Sequence, residues 1–195
     1  MKKYSGTDEK IINATFEILQ EEGFAKATTK KIAAKAGVNE VTLFRNFKNK
    51  NNLVEATKEY YLHLLIAKLE EIFEFGEDEW IEEYLKISFF GVLNLSEEDF
   101  RILRVAMEEV REDPDKKILI SDITDMILDK LEEFFKIKIE KGIIREVNPK
   151  SLAIMCFGVL FQSVILWKVY NHNLEFETNY YADDLINIMF EGINP

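Results

Sequence analysis

The chain has a single cysteine, Cys156, so no disulfide can close within it, and a lone thiol fits a reducing compartment. Three prolines and eight glycines among 195 residues leave few backbone interruptions, which favours helices over turn-rich β architectures. There are two histidines, His63 and His172, and no metal-ligand spacing involves them. Neither a Cys-His pair nor a Ser-His-Asp set falls where helical spacing would bring it together, and no phosphate-cradling glycine loop is present. No metal, cofactor or catalytic residue is therefore expected. Lys2 and Lys3 precede no apolar core, so the opening MKKYSGTDEK reads as neither a signal peptide nor a membrane anchor, and a cytoplasmic location follows. The most apolar segment, Leu152 to Trp167, has 16 residues and contains Gln162 and Ser163. That is short of the roughly 20 needed to cross a bilayer, so it is expected to be a core helix buried on most sides, and no membrane partner is expected. Internal repeats and low-complexity tracts are also absent.

What is present is a globular composition, 47% hydrophobic and 12% aromatic. The net charge of -11 conceals an asymmetry: residues 1–50 carry ten Lys and Arg against six Asp and Glu, while residues 51–195 carry 15 against 30. A basic N-terminal part points to nucleic acid or another anionic partner at that end.

The first fifty residues specify three helices. Ile12, Phe16 and Leu19, with Ile11, Ala14 and Ile18 beside them, give an amphipathic first helix over Thr7 to Glu22, stopped by Gly23. Thr28 and Thr29 offer a hydroxyl cap to a second helix, Lys30 to Ala36, with Ile32, Ala33 and Ala36 inward. Gly37-Val38-Asn39 is a three-residue turn, Asn39 capping a third helix from Glu40 to Phe47. Leu43 and Phe47 lie four apart and anchor that helix, which leaves Glu40, Thr42, Arg45 and Asn46 for solvent or a groove. Glu40 is also well placed at the positive end of the helix dipole.

The run TTKKIAAKAGVNEVTLFRNFKNKNNL resembles the DNA-binding signature of the TetR family of transcriptional regulators. The shared features are the capped second helix, the AGV turn, a Thr-Leu-aromatic third helix, and Phe-Lys-Asn-Lys leading into a long fourth. The family commonly has a small residue or proline at Val41 and a tyrosine at Phe44; without that hydroxyl, Phe44 keeps only packing or contact with a thymine methyl. The resemblance implies phosphate contacts from Thr29, Arg45 and Lys50, with Lys48 beside them, and base contacts from Lys30, Glu40, Thr42 and Asn46. A lysine donates to guanine, an asparagine reads adenine bidentately, and a glutamate accepts from cytosine N4.

Beyond Lys50 the expected helices run to about Phe75, from Trp80 to Leu95, from a Ser96 cap to the EEVREDP stretch, and from Asp113-Pro114 to Gly142. Two more follow, from Asn148-Pro149 to about Asn171 and from Tyr180 to Glu191. The fold class expected is all-α with about nine helices: a helix-turn-helix DNA-binding domain over 1–50, then a helical effector-binding and dimerisation domain over 51–195. The resemblance implies a homodimer through the last two helices, a palindromic double-stranded DNA operator, and a small, largely apolar effector. Phe73, Trp80, Tyr84, Phe89, Met107, Phe134, Phe157 and Phe161 are the aromatic and Met candidates for the effector cavity. Glu108 and Glu109 would provide counter-charge to a cation, and His63 a polar contact, though each also reads as a solvated surface group. The competing readings are an all-α enzyme working through a carboxylate pair, and a helical interaction protein with a vestigial helix-turn-helix.

Overall fold

The computed structural model describes residues 4–108, 119–169 and 178–191. Among them are nine α-helices and no strand. The first four are α1 (Gly6–Lys26), α2 (Thr29–Ala36), α3 (Glu40–Phe47) and α4 (Lys50–Ile72). Then follow α5 (Ile81–Leu93), α6 (Glu97–Glu108), α7 (Leu119–Glu140), α8 (Pro149–Val164) and α9 (Thr178–Glu191). The starts follow side-chain capping. Ser5 and Asp8 form a reciprocal capping box on α1, Thr28 accepts from the Lys31 amide at 3.2 Å, and Asn148 accepts from the Ser151 amide at 3.1 Å with Pro149 at the first turn. Gly23, at φ 75°, interrupts α1 where the sequence places its end. The expected starts at Asp113-Pro114, the end of EEVREDP, Glu109 and His172 lie outside the described residues; His63 is an exposed residue of α4.

The chain divides into two compact units, one of residues 1–65 with 101–110 and the other of residues 66–100 with 111–195. The first unit therefore takes in most of α4 and the second part of α6, whereas the sequence puts a boundary at residue 50. Both helices have apolar positions that periodicity assigns to a core without saying whose core it is.

In the first unit the core is Ile11, Ile12, Phe16, Ile32, Leu43, Leu53 and Leu65, with Phe16 stacked on Tyr61 at 3.6 Å. Tyr4 meets Phe47 at 6.4 Å and Tyr60 at 5.9 Å, which covers the base of α3. From α6, Arg101 donates to Gln20 of α1 at 3.4 Å.

In the second unit an aromatic cluster sits between α5 and α7: Tyr84 lies 4.0 Å from Phe134, and Phe75 is 5.6 and 5.2 Å from these two rings. Tyr84 donates its hydroxyl to the Phe73 carbonyl at 3.3 Å and Ser88 donates to the Ile72 carbonyl at 3.3 Å, so side chains of α5 satisfy carbonyls at the end of α4. That end comes at Ile72, a few residues before the expected Phe75. The turn that follows is held from α7. Lys138, 1% exposed, donates to the main-chain carbonyls of Glu77 at 2.7 Å and Glu79 at 2.6 Å, its ammonium 4.9 Å from the Phe134 ring centre. Lys141 adds the Asp78 carboxylate at 2.9 Å. Before α6, Ser96 and Asp99 form a second capping box, joined by Lys68 at 2.6 Å. Burial alone would push the Asp99 carboxyl up, but the bonds from Lys68 and Ser96 outweigh it and hold the group below its ordinary range.

The eighth helix departs from expectation. Pro149–Lys168 is long and apolar enough to cross a membrane by length and composition, yet only 39% of its 18-residue apolar window is buried, so it is not a helix enclosed on most sides. Ser151, Ile154, Met155, Gly158 and Gln162 form an exposed stripe at helical spacing, with Ile154 52% and Met155 48% exposed. On α9, Ile188 and Phe190 are 49% and 43% exposed. The apolarity of α8 thus exceeds what its own chain covers. Its inner face holds Cys156, fully buried, where burial pushes the thiol up to about 12. Since only the thiolate reacts, folded protein at about pH 8 is expected to resist an aromatic disulfide reagent that titrates one thiol once urea is added. Rapid labelling before urea would show that α8 opens.

Candidate nucleic-acid interface

The turn between α2 and α3 depends on Gly37, at φ 68° and ψ 31°, a left-handed conformation that any side chain would strain. Its amide and that of Val38 donate back to Ala34 at 3.2 Å and Ala33 at 3.0 Å, closing the end of α2. Asn39 then accepts from the Val41 amide at 2.8 Å and α3 begins. Leu43 and Phe47 are buried as their spacing requires, and α3 turns its other face outward: Val41 is 72% and Phe44 44% exposed, Arg45 is exposed, and Glu40, Thr42 and Asn46 are half-buried. The helix ends at Lys48, the only described non-glycine residue with positive φ, at 68°. This strained position is held by the Lys48 and Asn49 amides, each 2.8 Å from a carbonyl of α3. It carries the Lys48 side chain into solvent.

Not every lysine of this basic unit is available to an anion. Lys31 pairs with Glu22 at 2.5 Å, and Lys35 with Glu17 at 2.8 Å and Glu21 at 3.4 Å, so both brace α2 against α1. Lys30 and Lys48 are exposed. Lys50, at the start of α4, donates to the Phe24 carbonyl at 2.6 Å with its ammonium 4.0 Å from the Phe24 ring centre. An ammonium has three donors, so this bond leaves capacity for a phosphate.

Two candidate base readers are tied to other parts of the unit. Asn46 donates its amide nitrogen to Asp8 of α1 at 2.8 Å, and its oxygen accepts from the Arg45 Nε at 3.4 Å. These bonds hold the amide in one orientation, and each end keeps one further donor or acceptor, so Asn46 can meet an adenine edge only from that orientation. Thr29 donates to Glu40 at 2.5 Å. A small polar cleft of about 370 Å³ is lined by Tyr4, Ser5, Thr7, Asp8, Arg45, Asn46 and Phe47. Neither Asp8 nor Phe24 stands out in the sequence. Each acts on a residue 38 or 26 positions away, a separation that helical periodicity does not encode.

Of the residues assigned to an effector cavity, Phe73, Tyr84, Phe89 and Phe134 are each at most 1% exposed, and Phe157 stacks on Phe161 at 5.5 Å, both half-buried. Burial raises the Tyr84 hydroxyl above its ordinary range. Trp80 stands apart at 79% exposed, next to the Glu79 carbonyl that Lys138 holds. The Met107 side chain lies outside the described residues. Among the described residues no group of three or more His, Cys, Asp and Glu is placed to hold a metal ion.

A glycine-centred turn between two short helices, an outward third helix and exposed bases beside it define the helix-turn-helix transcriptional regulators as the class. Residues 11–57 match the family described as bacterial regulatory proteins, tetR family. Over 157 residues the chain is 30% identical to the uncharacterized HTH-type transcriptional regulator YvkB of Bacillus subtilis (strain 168), covering 80% of this chain and 79% of that one. It is 24% identical over 186 residues to the fatty acid metabolism regulator protein of the same organism, 94% of each chain. The crystal structure of the transcriptional regulator FadR from Bacillus subtilis in complex with stearoyl-CoA has the same fold, with a TM-score of 0.69 at 21% identity over 95% of this chain and 99% of that one. The chain belongs to the TetR family of bacterial regulatory proteins and is a transcriptional regulator.

Proposed function

We propose that this regulator is a cytoplasmic, homodimeric repressor that binds a palindromic DNA operator and leaves it when a largely apolar effector binds. The observation that carries the reading is α3 itself: two buried anchors, Leu43 and Phe47, beneath a face of Glu40, Val41, Thr42, Phe44 and Arg45. Such a helix fits a major groove, and a dimer presents two of them about 34–36 Å apart. The exposed Ile154 and Met155 of α8 and the exposed Ile188 and Phe190 of α9 support a dimer through the last two helices. The stearoyl-CoA held by the similar FadR supports an apolar effector with a long hydrocarbon chain. Because α4 contributes residues to both units, it is the covalent route by which an effector in the second changes α3. Linkage then requires that operator DNA weaken effector binding by the same factor. A regulator is favoured over an enzyme because its relatives are transcriptional regulators.

Binding-site selection with random duplexes tests the reading: recovery of an inverted repeat supports it, and recovery of nothing overturns it. On the selected duplex, Lys50→Ala is expected to weaken binding to all sequences alike and to lower the slope of log K against log salt by about 0.9, the value of one phosphate contact. An unchanged slope would mean that Lys50 serves only to brace Phe24.

A further inference from the structure

We infer that Glu40 reads a cytosine and that Thr29 is its positioning residue rather than a phosphate contact. This rests on the DNA-binding reading above and deepens it. Thr29 opens α2 and Glu40 opens α3, and the Thr29 hydroxyl donates to Glu40 Oε1 at 2.5 Å across the turn. A hydroxyl has one hydrogen to donate. Spent on Glu40, it is not available to a phosphate oxygen, which offers only acceptors.

The same bond settles what Glu40 presents. A glutamate free to move through its rotamers would sweep across the groove mouth and repel phosphates. Thr29, β-branched and stiff at χ1, pins one carboxylate oxygen and leaves Oε2 with no recorded partner among the described residues. A fixed acceptor on a half-buried side chain in the first turn of a groove-reading helix matches the one base-edge group in a G·C pair that donates into the major groove, cytosine N4. Adenine N6 also donates there, but the acceptor N7 beside it meets a carboxylate lone pair unfavourably. The half-site is therefore expected to carry a cytosine under the first turn of α3.

The test is binding-site selection on the intact protein, followed by affinities for the selected duplex and its single-base variants. Wild type is expected to select cytosine at one position of each half-site and to lose about tenfold in affinity when it is replaced. Thr29→Val should reduce that discrimination to about twofold while Thr29→Ser, which restores the hydroxyl, regains it. Glu40→Ala should abolish the discrimination, and adding Thr29→Val to it should change nothing further, since the two residues act as one unit. Full cytosine discrimination in Thr29→Val, with weaker binding to every duplex and a lower salt slope, would restore Thr29 to the phosphates and overturn the inference while leaving DNA binding intact. Cytosine preference persisting in Glu40→Ala would overturn it also, and decides the matter if Thr29→Val does not fold. Wild-type protein that selects no duplex sinks the inference together with the reading beneath it.

Discussion

Phe134→Ala is expected to lower the unfolding free energy by about 3–5 kcal/mol, the usual cost of removing a buried phenyl ring. Phe134 is 0% exposed and lies within 5.6 Å, ring centre to ring centre, of Tyr84, Phe75 and Phe135, so little of the void can be refilled without breaking those contacts. Its ring also faces the Lys138 ammonium, an attraction that alanine removes. Urea denaturation followed by circular dichroism would show the midpoint falling at an unchanged slope. Phe134→Leu should lose markedly less, because leucine restores much of the volume. A loss under about 1 kcal/mol for the alanine variant would mean the cluster is not the packed centre of its unit.

Ile154→Glu is expected to convert the proposed dimer to a monomer and to cost operator affinity about a thousandfold. The residue is 52% exposed in the isolated chain, at the middle of the α8 stripe, so a glutamate there is harmless to the monomer. In a dimer it would bury a charge without a partner, which such an interface does not tolerate. The affinity loss follows because two half-sites bound by one dimer reinforce each other by about 10²–10⁴ over one alone. Light scattering reads the mass, and titration of a full operator against a half-site reads the affinity. A dimeric variant with wild-type affinity would exclude α8 from the interface.

Much of this was legible in the sequence because helices write their periodicity into it. The α3 limits, the Asn39 cap and the Leu43 and Phe47 anchors are all local, each set within one or two turns. What escaped depends on partners that the chain brings from afar. Lys50 reads as a cation with no neighbour until Phe24 is beside it, Asn46 as an amide without contacts until Asp8 is, and Thr29 as an unengaged hydroxyl until Glu40 accepts from it. Apolar α8 shows a related ambiguity: composition reports how oily a helix is, but not whether its own chain or a second copy covers it.

The buried Lys138 has a consequence for which mutations this protein can accumulate. It grips the turn after α4 by main-chain oxygens, which every residue type supplies equally. Substitutions at Glu77 or Glu79 should leave the Lys138 grip in place, and remove only the exposed Glu77 pairing with Lys141 at 3.6 Å or the Glu79 bond from the Gly76 amide at 3.1 Å. Inserting or deleting one residue between Gly76 and Trp80 should be severe, since it would move both oxygens out of register with a cation that is 1% exposed. Drift in this turn is thus expected to alter its letters more readily than its length.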